Sequence, residues 1–296
     1  PTMTSTAKNA PQVDLASLRT AIGRKVVDRD EATLSAMHGL IVTFDRNDPA
    51  PKHGDAVPPG WHHAYFPAMS RKAKLGLDGL PTESDILPKM PLPRRMFAGV
   101  NQTFHDAIRI GDAITRETEL TDITARTGAT GPLIFTTMMR RISTPRGLAI
   151  EEEYQGVFRE EVKAGAANPM SKRDEAPAGL PWHRLVEADV VSLFRFSALT
   201  FNPHRIHYDR TYAMDAEGYP GLVVHGPYSQ QCLMDFARDH MPAKTMRTFN
   251  MRARAPLFDT APFSLVGRPL EDGKSCEVWA LTPQETIAMQ ATATFA

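Results

Sequence analysis

GPYSQQCLMDFARDH, residues 226–240, is followed by four segments of strand pattern, and this order decides the predicted fold. The stretch predicts an amphipathic helix, and its inner face would carry Leu233, Phe236, Ala237 and His240. The strand segments after it are 247–254, 262–269, 275–281 and 286–295, with turn sequences between them. A helix followed by an antiparallel meander predicts a sheet that wraps around the helix.

The first half of the chain repeats this order. Residues 28–40 predict a helix that is capped by Asp28 or Asp30 and is apolar along one side. Residues 47–93 are rich in Pro and Gly yet aromatic, which predicts an irregular segment folded over another part of the protein. The predicted strands are 100–109, 113–125, 133–142 and 148–158. Segments 104–112 and 251–259 occupy matching places and form a weak internal repeat.

The predicted fold class is therefore α+β, with two helix-wrapped antiparallel sheets in one chain, which is the double hotdog arrangement. Between the halves lies KAGAANPMSKRDEAPAGLP, residues 163–181, which has no apolar period. We predict an N-terminal hotdog over 1–162, a linker over 163–181 and a C-terminal hotdog over 182–296.

Composition narrows the choice of partners. The chain has 296 residues, of which 34 are basic and 34 acidic, and 42% are hydrophobic. No net field therefore draws it to nucleic acid or to an acidic membrane. Cys232 and Cys276 form neither a CxxC pair nor a disulfide framework, and the polar segment 1–12 lacks the apolar core of a secretory signal. We expect a soluble, cytoplasmic protein.

The candidate catalytic residues lie in two stretches, SALTFNPHRIHYD at 197–209 and GLVVHG at 221–226. The first stretch predicts a polar turn that carries an imidazole, and the second predicts an apolar strand that ends at a glycine. His207 would supply a group whose pKa lies near working pH, and Gly226 an unpaired N–H at the start of a helix. Each residue also has a structural interpretation. In that interpretation, His207 and Asn202 only shape the turn, and Gly226 only allows a tight entry into the helix. Thr200 and His225 are interpreted as structural.

These motifs carry a family resemblance. The series Asn202-Pro203, His207, Asp209 and Gly226 resembles the MaoC-like (R)-specific enoyl-CoA hydratases and dehydratases, whose motif reads D-x-N-P-x-H-x-D. In that family the Asp and His hold the water or hydroxyl, and the Gly N–H contacts the thioester oxygen. The first half looks like the degenerate N-terminal dehydratase domain of mesaconyl-C4-CoA and itaconyl-CoA hydratases. The segments that carry this likeness are Pro58-Pro-Gly-Trp61, Tyr65-Phe66 and Pro91-Leu-Pro-Arg-Arg-Met-Phe-Ala-Gly99. The resemblance thus makes the first hotdog substrate-shaping and the second catalytic.

The chain departs from the family pattern in two ways. Thr200 stands where the motif begins with Asp, and His204 and Arg205 are inserted before the His-x-Asp pair. A threonine hydroxyl cannot act as a general base near neutral pH, so proton transfer falls on His207. Either Asn202 or Asp209 would orient His207 or the water. The insertion also belongs to the mesaconyl and itaconyl branch, which favours a functional variant of the site.

Arginines are the candidates to meet the CoA phosphates or a substrate carboxylate. Arg205 lies in the insertion and Arg94 and Arg95 lie in a Pro-bracketed motif, which makes these better candidates than Arg252 and Arg254. No Gly-rich phosphate loop and no metal-ligand spacing is present in the sequence. We expect no metal and no cofactor other than the CoA carried by the substrate.

The resemblance implies a hydro-lyase that adds water to an α,β-unsaturated acyl-CoA, preferably mesaconyl-C4-CoA or itaconyl-CoA, to give citramalyl-CoA. The alternative within this class is a 3-hydroxyacyl thioester dehydratase of fatty-acid type, which would need a long apolar tunnel. An anionic acyl chain instead predicts a buried arginine. A hotdog thioesterase and a non-catalytic acyl-CoA binding protein are the alternatives outside this class. The acyl group, direction and stereochemistry are left open, as is a homodimer.

Overall fold

The computed structural model describes residues 13–128, 131–160 and 174–296. The helices are α1 (Leu15–Arg19), α2 (Leu34–Thr43), α3 (Val190–Leu199) and α4 (Gly226–His240). The strands of the first half are β1 (Lys25–Glu31), β2 (Arg94–Phe104), β3 (Ala113–Gly128), β4 (Gly131–Thr144) and β5 (Gly147–Arg159). Those of the second half are β6 (Trp182–Val186), β7 (Met246–Ala253), β8 (Phe263–Pro269), β9 (Ser275–Leu281) and β10 (Ile287–Phe295).

The ten strands form one sheet with the order β1-β3-β4-β5-β2-β7-β10-β9-β8-β6. All neighbouring pairs are antiparallel. Read outward from the centre, β2-β5-β4-β3-β1 has the same connectivity as β7-β10-β9-β8-β6, so the second half repeats the first. The halves meet where β2 pairs with β7, with Asn101 opposite Asn250. The weak repeat detected in the sequence begins on these two central strands.

Helix α4 lies in the core of the second half, with the bounds that the sequence predicts. Its first turn holds Pro227, which suits this position because the N–H that proline lacks would have no partner there. Leu233, Phe236 and Ala237 are fully buried, as predicted for the inner face, whereas His240 is only half-buried. Every residue from Tyr228 to Ala237 is buried, so the helix has no solvent face over this length.

The helix predicted over 28–40 is wrong in its first part. Residues 25–31 form β1, with Asp28 facing Arg116 across the pair with β3, and α2 begins only at Leu34 after Thr33. The seven residues KVVDRDE alternate in burial along the strand, a period that the two aspartates obscured as possible caps. Helix α3 was also missed, although Asp189 caps it by accepting a 2.7 Å hydrogen bond from the Ser192 N–H.

In the first half, a single 3-10 turn, Trp61–Ala64, stands where the second half has α4. The segment before this turn and the segment before α4 make equivalent hydrogen bonds. The Val57 N–H donates to the Ile108 carbonyl, and the Val224 N–H donates to the Leu257 carbonyl. Gly60 then adopts a left-handed φ of 87°, and the turn ends after one winding. The first hotdog therefore lacks a long central helix within the described residues, which differs from the predicted helix-and-meander order.

The irregular segment 47–93 packs over the second half, as expected from its aromatic content. The Trp61 indole N–H donates to the Asp235 carboxylate of α4 at 3.1 Å, and Gly79 packs against the carbonyl of Pro203. Residues 163–173 of the predicted linker lie outside the described residues, and the domain boundaries stay a prediction. In the part of the chain that is described, no helix is long and apolar enough to cross a membrane.

Phe249 tests the central pair of strands. Its side chain on β7 is fully buried, so Phe249→Ala should lower the free energy of unfolding by about 3–5 kcal/mol through lost burial and a cavity. Arg247→Ala, an exposed position on the same strand, is the matched control and should change it by less than about 0.5 kcal/mol. Chemical denaturation measures both, and equal effects would contradict the assigned faces of β7.

Candidate active site

The candidate site lies where three segments of the second half meet. Helix α3 ends at Leu199 and leads into the turn of residues 200–209, which contains the short 3-10 helix Arg205–His207. The buried segment 221–224 runs beside this turn and ends at the start of α4. The two motifs singled out in the sequence are therefore adjacent in space.

His207 is held by the backbone of the neighbouring segment. Its Nδ1 lies 2.7 Å from the Val223 carbonyl oxygen, so Nδ1 carries the proton and donates it, and Nε2 keeps a lone pair. The side chain is buried, and burial lowers its pKa from the ordinary value to about 3. His207 is therefore a neutral imidazole with a free Nε2, and the expectation that its pKa lies near working pH is wrong, because burial disfavours the charged form.

His225 lies face to face with His207, a contact that the sequence did not predict. The two ring centroids are 3.7 Å apart and nearly parallel, and the His225 Nε2 is 2.8 Å from the Ser197 hydroxyl. Its Nδ1 is buried and has no hydrogen-bond partner among the described residues. Burial, together with the neighbouring imidazoles, holds the pKa of His225 well below its usual range. The stacked pair is thus uncharged, and His225 fixes one face of the His207 ring.

His204, from the insertion, approaches the edge of His207. Their ring centroids are 5.4 Å apart and the rings are almost perpendicular. The Asn202 side-chain oxygen accepts a 3.0 Å hydrogen bond from the His204 backbone N–H, so Asn202 shapes the turn that presents this ring. The predicted contact of Asn202 with His207 is not formed in this structure.

Gly226 is the first residue of α4, and its N–H finds no acceptor in the described part of the chain. A Cβ atom built on this glycine would lie 2.8 Å from the Phe97 ring, so only glycine allows β2 to come this close. The N–H is therefore a free donor at the positive end of a helix, as the sequence predicts. Chemically, it suits a carbonyl oxygen that gains negative charge.

Thr200 and Asp209 do not reach His207. The Thr200 hydroxyl donates to the Phe196 carbonyl at 2.7 Å, which agrees with its structural interpretation. The Asp209 carboxylate accepts from the Arg205 guanidinium at 2.7 Å and from the Tyr212 N–H at 3.0 Å. The orienting contact that was predicted for Asp209 is thus absent between these described residues, and the Val223 carbonyl takes that role instead.

The predicted arginines are mostly engaged by protein groups. Arg94 binds Glu217 at 2.7 Å and lies over the Tyr219 ring, while Arg205 is occupied by Asp209 and the Leu77 carbonyl. Arg95 is exposed beside the Phe158 ring. Arg254 and Arg252 are also exposed, at the end of β7, and Arg252 donates to the Asn101 side chain. Arg94 and Arg95 lie close enough to His204 for their charges to help lower its pKa, after the larger effect of burial.

A buried polar cluster that the sequence did not predict lies inside the first half. Glu152 is fully buried on β5 and accepts from Arg140, Gln102 and His62 at 2.7, 2.6 and 3.3 Å. Burial alone would raise the pKa of Glu152, but the bond from His62 and the charge of Arg140 hold it well below its usual range. The Gln230 amide of α4 donates to Gln102 and ties the cluster to the second half.

Ligand-type atoms of His62, His63 and Glu152 lie within 4.8 Å of one another, an arrangement able to hold a metal ion. The positions 62, 63 and 152 form no recognisable spacing, which is why the sequence predicted no metal site. The donor set fits a salt-bridge network better than a cation, because Glu152 already binds Arg140 and Gln102. Arg140 and Arg116 also lie close enough to His63 for their charges to help lower its pKa, after burial.

Aromatic side chains connect Gly226 with this cluster. Phe97, which packs against Gly226, has its ring 5.3 Å from that of Tyr154. The Arg140 guanidinium lies 4.3 Å from the centre of the Tyr154 ring. One-fifth of the Arg140 side chain is accessible, and its Nε has no hydrogen-bond partner among the described residues. Gly226 is therefore linked through Phe97 and Tyr154 to the ion pair of Arg140 with Glu152.

A helix-wrapped antiparallel sheet with a neutral histidine beside a free glycine N–H defines a hotdog-type lyase of acyl thioesters. Residues 60–259 match the family described as hydroxyacyl-thioester dehydratase type 2, and the chain belongs to this family. It is 42% identical over 275 residues to the mesaconyl-C(4)-CoA hydratase of Chloroflexus aurantiacus, which covers 92% of this chain and 95% of that protein.

Two solved structures show the same fold at low identity. One described as a MaoC-like dehydratase superposes with a TM-score of 0.68 at 13% identity, over 94% of this chain and 99% of the other. A Mycobacterium tuberculosis protein described as having a double hotdog fold gives 0.56 at 11% identity, over 93% and 96%. The predicted double hotdog fold, MaoC-like resemblance and hydratase or dehydratase class are thus confirmed. Family membership favours this class over the thioesterase and the non-catalytic binding protein.

The buried histidines make stability depend on pH. The pKa of His207 is about 3 in the folded protein but near 6.5 when unfolded, so unfolding takes up a proton between these values. Stability is therefore complete above about pH 6.5 and is lost as pH falls towards 3, by about 2 kcal/mol for this imidazole at pH 5. In His207→Gln, the free energy of unfolding should therefore fall less between pH 7.5 and 5 than in the wild type, as measured by denaturation at both pH values. The exposed His183→Gln should leave the slope unchanged, and an unchanged slope in His207→Gln would contradict the buried neutral state.

Proposed function

We propose that this protein hydrates an α,β-unsaturated acyl-CoA, with mesaconyl-C4-CoA or itaconyl-CoA as the preferred substrate and citramalyl-CoA as the product. The observation that carries the proposal is the neutral His207, which has an available Nε2 and stacks on His225, the residue before the unpaired N–H of Gly226. The 42% identity to a mesaconyl-C(4)-CoA hydratase over most of both chains supports the choice of substrate.

The proposed reaction runs on proton transfer and hydrogen bonding. The thioester oxygen accepts from the Gly226 N–H, which stabilises the negative charge that develops there. His207 Nε2 takes a proton from water while the water oxygen bonds to the β-carbon, and the double-bond electrons move towards the thioester. A proton then reaches the α-carbon, and the reverse sequence dehydrates the hydroxyacyl thioester. Only the CoA carried by the substrate enters this scheme as a cofactor.

The interior of the first half favours an anionic acyl group over a long fatty one. Arg140 lies beyond Phe97 and Tyr154 as seen from Gly226, and Arg116 lies near enough for the two guanidinium charges to influence each other. A long alkyl chain entering here would meet charged groups, whereas a second carboxylate would find donors. The 3-hydroxyacyl thioester dehydratase of fatty-acid type remains the alternative, which the name of the matching family supports.

The test follows the loss of enoyl-thioester absorbance with mesaconyl-C4-CoA, itaconyl-CoA and crotonyl-CoA in parallel, with a thiol reagent present. We expect rapid loss with a dicarboxylic substrate and no free CoA. Activity on crotonyl-CoA alone would favour the fatty-acid type of enzyme. Release of thiol would contradict the proposal and support a thioesterase.

His207→Gln tests the proton acceptor. The amide retains a donor for the Val223 carbonyl but cannot take a proton, so kcat should fall by about 10²–10⁴ while the melting temperature at pH 7.5 changes little. Turnover within threefold of the wild type would exclude His207 as the base. His183→Gln, exposed on β6, is the control histidine and should keep full activity.

Arg140 tests the acyl pocket. Arg140→Met, combined with Glu152→Gln so that no buried carboxylate is left unpaired, should lower kcat/KM for the dicarboxylic substrate by about 10–100-fold. Its kcat/KM for crotonyl-CoA, which has no second carboxylate, should stay within threefold. Arg141→Met is the control, because this neighbouring residue of β4 pairs with Glu117 instead. Equal losses on both substrates would mean that the cluster supports the fold and not the carboxylate.

The proposal extends to location and assembly. Cys232 and Cys276 are free and buried, which supports a reducing compartment such as the cytoplasm. A homodimer is supported by the apolar side chains exposed on α2, on α3 and just after α3. These are Leu34, Val42, Val190, Val191, Phe194 and Phe201.

A further inference from the structure

The hydration reaction needs a second proton-transferring group, and the usual position does not supply one. Thr200, which replaces the Asp of the family motif, has its hydroxyl bonded to the Phe196 carbonyl. Asp209 is held by Arg205 and the Tyr212 N–H. His225 is stacked on His207 and bonded to Ser197, with its remaining nitrogen fully buried. The group that protonates the α-carbon must therefore come from another residue.

We propose that His204 is this second catalytic residue and that Asn202 is its positioning residue. The inference rests on the proposed hydratase function. His204 is one of the two residues by which this chain exceeds the motif spacing, so the turn that lacks the Asp of the motif has an additional imidazole. Neither ring nitrogen of His204 has a hydrogen-bond partner among the described residues, and both are free to exchange protons.

The turn holds the His204 ring at the edge of His207. The centroids are 5.4 Å apart and the rings are nearly perpendicular, so both imidazoles border the same small volume. The Asn202 side chain fixes the backbone of His204 by its 3.0 Å bond, after Phe201 turns the chain with a φ of +51°. A non-glycine residue in this left-handed conformation is uncommon, and here it forms the turn that follows α3.

The first half of the chain clamps the turn from the other side. Gly79 packs against the Pro203 carbonyl, where any side chain would clash. The Arg205 N–H donates to the Asp78 carbonyl at 2.8 Å, and the Arg205 side chain donates to the Leu77 carbonyl at 2.9 Å. His204 is thus held between two elements that belong to different halves of the protein.

The charges around His204 oppose one another. Burial, Arg94 and Arg95 favour its neutral form, whereas the carboxylates of Asp78 and Glu217 favour its protonated form. His207 and His225, the other titratable groups nearby, are neutral. On balance the pKa of His204 is lowered, so its protonated form is a stronger acid than an ordinary imidazolium and becomes populated as the pH falls.

The proposed step balances in protons and electrons. Water loses a proton to His207 Nε2 as its oxygen bonds to the β-carbon, and the π electrons of the double bond form the enolate. Protonated His204 gives its proton to the α-carbon, and a new C–H bond forms as the carbonyl is restored. His207 is left protonated and His204 neutral, and exchange of one proton with solvent restores the starting state.

The experiment compares His204→Ala and His204→Gln with the wild type on the substrate that the wild type hydrates fastest. We expect kcat to fall by about 10²–10⁴ with KM within threefold, and added imidazole to restore part of the activity of His204→Ala. The fall in rate as the pH rises through the lowered pKa of His204 should disappear in His204→Gln. A purely structural role would give neither rescue nor a changed pH profile.

Two further variants separate the outcomes. Asn202→Ala should lower kcat about tenfold, and Asn202→Asp, which keeps the acceptor oxygen, should retain most of the activity. His183→Gln is the control. If the wild type is active and His204→Gln keeps its kcat and pH profile, the role of His204 is wrong and the hydratase function stands. If the wild type hydrates none of the enoyl-CoA substrates, the proposed function itself fails.

Discussion

The burial of α4 on every side is the constraint from which the rest of the structure follows. A helix that carries Gln230, Gln231 and Asp235 in its buried length requires a polar partner for each of them. The first half provides these partners, since Trp61 binds Asp235 and Gln102 binds Gln230. The two halves therefore complete one another through hydrogen bonds as well as through the β2 and β7 pair.

The burial of α4 also determines where the candidate active site lies. Helix α4 leaves the core at its N-terminus, where Gly226 meets Phe97 of β2, and at its C-terminus, where Asp239 is exposed. At the N-terminal end, Gly226 approaches Phe97 of the first half, and the preceding residue, His225, stacks on His207 of the second half. Under the proposed function, a substrate at Gly226 would contact both halves, and the first half would shape the acyl pocket without a long helix of its own.

Local patterns determined what the sequence could predict. The bounds of α4 and of β9 agree with the prediction, because apolar periodicity and flanking turns mark them within a short window. Residues 28–40 show the limit, since the strand β1 is fixed by its pairing with β3, far along the chain. For the site, the motif identified His207 and Gly226 as neighbours. It could not show that His225 stacks on His207, or that Glu152 meets Arg140 and His62, because three-dimensional packing creates those contacts.

Joining two hotdogs in one polypeptide removes a restriction that a pair of identical chains must obey. In such a pair every substitution occurs twice, at symmetry-related places, so a change that improves one pocket also alters the other. Here the turns after α2 and α3 still share a residue in the left-handed conformation, Asp45 with a φ of 49° and Phe201 with 51°. Around these matching turns the halves have diverged. The second half has His207 and the long helix, while the first has a short turn and a buried charged cluster that identical subunits would have to carry in both copies.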